Sequence, residues 1–175
     1  MTLFELIHDS HEIQRTLCRQ LVATRSDVAR REALFLQLKV ELEAHAAAEE
    51  RYLYVPLLMT DPGLSSSRHA LSEHHEIEEL CDDLSVADKS RADWLVTAKE
   101  LGHLVRHHLK EEETKFFKVA GRILTDAQKD LLARRYAKDV LRMRKKYATD
   151  FASVDVGGDG HVRPAKSARP RSTRT

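Results

Sequence analysis

A histidine and a glutamate four residues apart, His45 and Glu49, recur sixty-three residues later as His108 and Glu112. On a helix, positions i and i+4 leave the same face about one turn apart. Each pair therefore presents an imidazole beside a carboxylate, donor types that hold transition-metal ions. The repeat reaches well beyond the two pairs. A shift of sixty-three residues, without a gap, also superimposes His11 on His74, Leu17 on Leu80, Leu21 on Leu84, Leu38 on Leu101 and Tyr54 on Phe117. Each half carries a His and, thirty-four residues later, a His-x-x-x-Glu. That interval selects His74 from the doublet His74-His75 and His108 from His107-His108. His75 and His107 then point about 100° away from the shared face.

Four imidazoles and two carboxylates at one depth of a helical core cannot be left unpaired, because burying charge without a partner is prohibitive. Bound metal removes the difficulty. Six donors are too many for one tetrahedral zinc; they suit two ions, each taking two imidazoles, with both glutamates bridging. Mixed imidazole and carboxylate ligation favours iron or manganese. With a third bridging oxygen each ion has five contacts, and a sixth position is open to a small ligand. The expected metal ligands are His11, His45, Glu49, His74, His108 and Glu112.

These side chains need long helices to position them, and the chain reads as five. Thr2-Leu-Phe-Glu5 is a capping box, followed by an apolar stripe of Leu3, Ile7, Leu17 and Leu21 in which His11 takes the place of a hydrophobe. Ser26 and Asp27 cap a second helix carrying Leu34, Leu38, Leu42, His45, Glu49 and Leu53, which Pro56 should kink or end. Asp61-Pro-Gly-Leu-Ser-Ser-Ser reads as a turn, with the third helix starting near Ser65 and carrying His74, Ile77, Leu80, Cys81 and Leu84. Ser90-Arg-Ala-Asp93 reads as a cap for the fourth, which carries Trp94, Leu101, Val105, His108, Glu112 and Phe116. Thr125-Asp-Ala-Gln128 opens a fifth with Leu131, Leu132, Tyr136, Val140 and Met143. Four helices with short connections predict an all-α, antiparallel up-down four-helix bundle over residues 1–150. The additional C-terminal helix should pack outside it as a lid on one end. Residues 151–175, rich in Gly, Ser and Arg, predict a disordered basic tail that is more often solubilising than a nucleic-acid or lipid contact.

Composition agrees. A third of the 175 residues are charged while Gly and Pro number only six and four, the profile of a helical protein with solvated faces. A net charge of +1 argues for no particular partner and no specific nucleic acid. No apolar run is long enough to span a membrane, and the N-terminus shows no secretory pattern. Two cysteines are too few for a disulfide scaffold, so the expected compartment is the cytoplasm. Ten histidines are the one excess.

The stretches His11-Glu-Ile-Gln-Arg-Thr-Leu, His45-Ala-Ala-Ala-Glu-Glu-Arg-Tyr-Leu-Tyr, Glu73-His-His-Glu-Ile-Glu-Glu-Leu and His107-His-Leu-Lys-Glu-Glu-Glu-Thr-Lys-Phe-Phe resemble the hemerythrin-like, or HHE cation-binding, domain over residues 3–124. The resemblance implies a four-helix bundle holding two iron ions as an oxo- or hydroxo-bridged non-haem centre that binds or senses O2, NO or peroxide. The six ligands carried over by position are those derived above. Iron storage or delivery, iron–sulfur repair, and a peroxidase or catalase-like activity are the alternatives; the protein partner is not specified. Respiratory hemerythrins place a fifth His where this chain has Glu78, and Asp in the last motif where it has Glu112. The four-His, two-Glu set is closer to the bacterial iron–sulfur repair proteins of the superfamily, whose cysteine-containing N-terminal domain is expected to be absent here. Glu78 reads as an extra ligand or ligand support, or more plainly as a solvated or salt-bridged carboxylate.

Cys18 and Cys81 each follow a ligand His by seven residues, two turns, and should point into the core as small hydrophobes, a redox pair being the other reading. His8 sits one turn before His11, near the site mouth or at a helix end. His69, His103 and His161 fit no pattern and read as surface; Trp94 reads as a core anchor.

Overall fold

A computed structural model describes residues 1–154, and these are helical apart from short connections. Helix α1 (Leu3–Val22) opens on the expected reciprocal cap: the Glu5 N–H donates to Thr2 Oγ1 at 3.2 Å and the Thr2 N–H to the Glu5 carboxylate at 2.8 Å. Helix α2 (Val28–Glu49) starts at Asp27, whose carboxylate accepts the Arg30 N–H at 3.0 Å. It does not stop before Pro56. A π turn (Glu50–Tyr54) and a short α3 (Val55–Leu58) carry it on to Met59. Pro56 lies in the first turn of α3, where its missing N–H removes no α-helical bond.

Helix α4 (Asp61–Val86) begins four residues before the expected start at Ser65. Thr60 caps it, accepting the Gly63 N–H at 3.2 Å, and Pro62 occupies its first turn. The signal that reads as a turn is a helix start. Gly63 is required there, because a Cβ would lie 2.5 Å from the carbonyl oxygen of Leu57. Helix α5 (Ala92–Glu111) lacks the expected Ser90 cap: the Ser90 N–H and Oγ both turn back to Asp88 Oδ1, and Arg91 at the cap pairs with Asp93 instead. A second π turn (Glu112–Phe116) and α6 (Phe117–Ile123) prolong α5. Thr125 and Gln128 then exchange the predicted capping bonds ahead of α7 (Asp126–Val154). Phe151–Val154 are thus helical; the rest of the predicted tail, with His161, lies outside the described residues.

The bundle interior is two apolar cores with a polar layer between them. One core gathers Leu3 and Ile7 of α1 with Ala48, Leu53 and Leu57 at the far end of the second helix, and with Phe116 and Ala120. The other gathers Leu17 and Leu21 with Leu34, Leu38, Cys81, Leu84 and Leu101, anchored by Trp94. The Trp94 ring meets Phe35 edge-on at 5.4 Å, and its Nε1–H donates to the Leu84 carbonyl at 3.0 Å. Along α1 and α4 the His lies between the residues that enter the two cores, as His11 does between Ile7 and Leu17 and His74 between Ala70 and Ile77. Both cysteine thiols are buried in the second core, and burial raises Cys18 to about 11 and Cys81 to about 12. That is the small-hydrophobe reading of these two residues.

Helix α7 is not a lid on one end. It runs antiparallel along α2, pairing Tyr136 with His45 and Arg144 with Glu41, while Asp139 pairs with Arg51 just beyond α2. Leu132, Tyr136, Val140 and Met143 add to the first core, whereas Leu131 is exposed. Among the described residues no helix is long and apolar enough to cross a membrane.

Candidate metal centre

The structure brings all six expected residues together in the polar layer, and all are buried. His11, His45, Glu49 and Glu112 offer donor atoms within 4.8 Å of one another; Glu49, His74 and His108 form a second such group. The imidazoles therefore pair within each hairpin. Glu49 belongs to both groups and Glu112 to the first.

The Nε2 atoms face inward. His45 Nε2 lies 3.0 Å from Glu49 Oε2, His11 Nε2 lies 3.2 Å from Glu112 Oε2, and His74 and His108 face each other Nε2 to Nε2 at 3.1 Å. These approaches lack hydrogen-bond alignment, and His11 Nε2, His45 Nε2, Glu49 Oε1 and Glu112 Oε2 are buried without a well-formed hydrogen bond. Four such donor atoms in one buried layer carry a desolvation penalty if nothing joins them. Convergent nitrogen and oxygen donors of this kind fit a cation.

Every Nδ1 is held from outside the layer. His11 Nδ1 meets Glu113 at 2.7 Å, and Arg15 fixes that carboxylate through two contacts of 2.9 Å. His74 Nδ1 meets Glu50 at 3.3 Å, and His108 Nδ1 meets Glu73 at 2.9 Å. The sixty-three-residue repeat relates Glu50 to Glu113, and each supports the histidine of the other hairpin. The same shift relates Glu73 to Ser10. Serine is too short to reach His45, and the Tyr136 hydroxyl fills the gap, accepting from Nδ1 at 2.9 Å and donating to Ser10 Oγ at 3.2 Å. Partners of this kind set the tautomer that leaves Nε2 free to ligate.

Tyr54 joins the two carboxylates, its hydroxyl lying 3.0 Å from Glu49 Oε2 and 2.6 Å from Glu112 Oε1. In a regular α-helix, residue i+5 turns about 140° from residue i. The π turn removes most of that rotation and stacks Tyr54 over Glu49. The equivalent Phe117 stacks on the His11 ring, with centroids 6.0 Å apart.

Charge is tightly balanced in this layer. Burial opposes protonation of His11, but Glu112 and Glu113 outweigh it and raise the group to about 9. Burial likewise opposes protonation of His74, and Glu49 with Glu50 raises it to about 10. Burial disfavours the charge on Glu49, yet His45 and His74 hold its carboxyl well below the usual range. Burial and the two adjacent carboxylates push the Tyr54 phenol well up, so it stays a donor.

The doublets resolve as expected: the side chains of His75 and His107 are 67% and 61% exposed, against 7% and 3% for His74 and His108. Glu78 is a surface group beside His75, not a member of the layer. His8 is half exposed and 4.0 Å from Glu113. His69 is exposed but not isolated, since it contacts Glu73 and Glu111. Sequence reasoning missed Tyr54, Tyr136, Glu73, Glu50 and Glu113 as site residues; the repeat carried a signal for the last two, which directly follow Glu49 and Glu112.

A cavity of about 240 Å³ opens between α2 and α4 and reaches His45, His74 and His108. A second, of about 220 Å³, approaches His108 and Glu112 from the side of His69 and Lys115.

A family model described as the hemerythrin HHE cation binding domain matches residues 2–120. A curated relative described as a DNA nickase, from Nostoc sp. (strain PCC 7120 / SAG 25.82 / UTEX 2576), is 24% identical over 146 residues, which is 82% of this chain and 41% of that protein. The chain thus spans well under half of the relative it matches. No solved structure matches it.

Proposed function

The chain belongs to the hemerythrin HHE cation-binding family, and from that premise we propose that His11, His45, Glu49, His74, His108 and Glu112 hold two iron ions as a non-haem centre that binds or senses O2, NO or peroxide. The observation that carries this reading is the buried convergence of donor atoms from His11, His45, Glu49 and Glu112 within 4.8 Å, four of them without a well-formed hydrogen bond. Mixed nitrogen and oxygen donors favour iron or manganese, and the family favours iron. When bound, the ion pair supplies redox and Lewis-acid chemistry at a site open to a small ligand.

The chain's own residues do the positioning. Glu113, Glu50, Glu73 and Tyr136 each fix one imidazole through Nδ1, which leaves Nε2 for ligation. Tyr54 locks the two carboxylates towards each other. The two apolar cores keep bulk water from the layer on either side.

The cavity beside His45 and His74 supports a small ligand over an organic substrate, since its volume of about 240 Å³ falls below the roughly 300–1,000 Å³ of pockets that take drug-sized molecules. Iron storage or delivery, iron–sulfur repair and a peroxidase or catalase-like activity would use the same centre. The nickase description belongs to the Nostoc protein and is not carried to this chain at 24% identity.

Elemental analysis with anaerobic and aerobic absorption spectra tests the proposal. Two irons per chain are expected, with visible bands that change when the reduced protein meets O2 or NO. Purified protein holding far less than two metals per chain, and losing none in Glu49→Ala or Glu112→Ala, sinks it.

A further inference from the structure

Gln14 breaks the repeat at a point that packing alone does not explain. It follows His11 by one turn, and its counterpart one turn after His74 is Ile77. Both positions are buried, Gln14 at 1% exposure and Ile77 at 7%. One hairpin therefore satisfies this core position with a hydrocarbon, and the other places a primary amide there. The amide Nε2 has no hydrogen-bond partner. An orphaned amide donor lowers the stability of the chain that holds it.

The position of the amide indicates its use. Gln14 lines the cavity between α2 and α4, and is the one residue of α1 to do so. Helix α1 packs against α2, α5 and α7, and Gln14 is its contribution to the lining of this cavity. Facing it in the lining are His45, His74 and His108. The rest of the polar lining is Glu43, Glu50 and Glu78, which accept hydrogen bonds when ionised, with His75 and Tyr147.

We propose that the Gln14 amide is a hydrogen-bond donor for the small ligand held in this cavity. One end of the ligand faces the imidazoles of His45, His74 and His108, and the other accepts from Gln14. The ligand class is a compact molecule of two or three heavy atoms with exposed lone pairs. Because the ligand site is that of the proposed di-iron centre, the inference rests on that reading. It adds a residue that selects acceptor-bearing ligands over apolar ones of the same size.

Gln14→Met keeps the length and volume of the side chain and removes the donor, and Gln14→Ile copies the other half of the repeat. Two measurements are made on each, with azide as the probe ligand. The metal-free variants should melt above the metal-free parent, by about 2–8 °C, because an unpaired buried amide has been removed. The iron-loaded variants should keep the parent's iron content and bind azide roughly tenfold more weakly. If both variants melt below the parent, the amide has an internal structural role and the inference falls. It falls equally if azide affinity is unchanged, or if the variants lose iron. A parent protein that takes up no iron, or loads iron and binds no azide, instead removes the di-iron ligand-binding reading, and this inference with it.

Discussion

The Tyr136 hydroxyl lies 2.9 Å from Nδ1 of His45, so a residue of α7 completes the support of a histidine on α2. For His108 the same duty falls to Glu73, one repeat removed from Ser10. Tyr136 is itself held by Ser10, which also accepts from Arg144 at 3.2 Å, and Arg144 is clamped on both oxygens of Glu41. Helix α7 is therefore part of the candidate centre, and the two histidine pairs differ: one is backed by two carboxylates, the other by a carboxylate and a phenol.

Tyr136→Phe removes that support while keeping the ring that packs in the first core. Metal affinity should fall by about 10–100-fold, read as the chelator concentration that strips half the metal. An unchanged value would mean that His45 is oriented by packing alone.

Tyr54→Phe strips two buried carboxylates of a shared donor. The metal-free protein should lose about 1–3 kcal/mol of stability, measured by urea unfolding with an unchanged m-value. A loss near zero would show that water replaces the hydroxyl.

The histidine doublets offer a comparison within the same helix turn. His74→Ala and His108→Ala should each cut the metal content of the purified protein. His75→Ala and His107→Ala, whose side chains face solvent, should leave it at the parent level. Elemental analysis of the four proteins decides the point, and equal loss in all four would contradict the inward placement.

Asp139 ties α7 to Arg51 just beyond α2. Burial disfavours its charge, but Arg142 and Arg51 outweigh that and lower its pKa. A lowered folded value means that the stabilisation is complete above the unfolded value of about 3.9 and is lost as pH falls through the folded one. Asp139→Asn should therefore melt earlier than the parent at pH 7, and the difference should shrink as the solution is acidified below pH 4. A difference that persists undiminished in acid would exclude the charge as its cause.

Much of the site was legible because α-helical periodicity and an ungapped repeat are one-dimensional signals. His11 and His74 stand where the stripe calls for hydrophobes, and the thirty-four-residue interval separates His108 from His107 without coordinates. What stayed hidden followed other rules. Tyr54 is about 140° off the ligand face of a regular helix, and reaches Glu49 and Glu112 only through a π turn, which has no simple sequence signature. The Asp61-Pro-Gly segment carries the same residues as a turn, and becomes a helix start because Thr60 caps it and Gly63 lets it lie against Leu57.

The sequence by itself determined the all-helical class, the six residues of the layer and the family, because each depends on residue type and spacing along the chain. The tertiary structure alone decided which histidines pair, which group holds each Nδ1, and that α7 lies along α2 with Tyr136 in the layer. Those are distances between atoms far apart in the chain, set by how helices rotate and pack about one another, and a linear repeat carries no term for them.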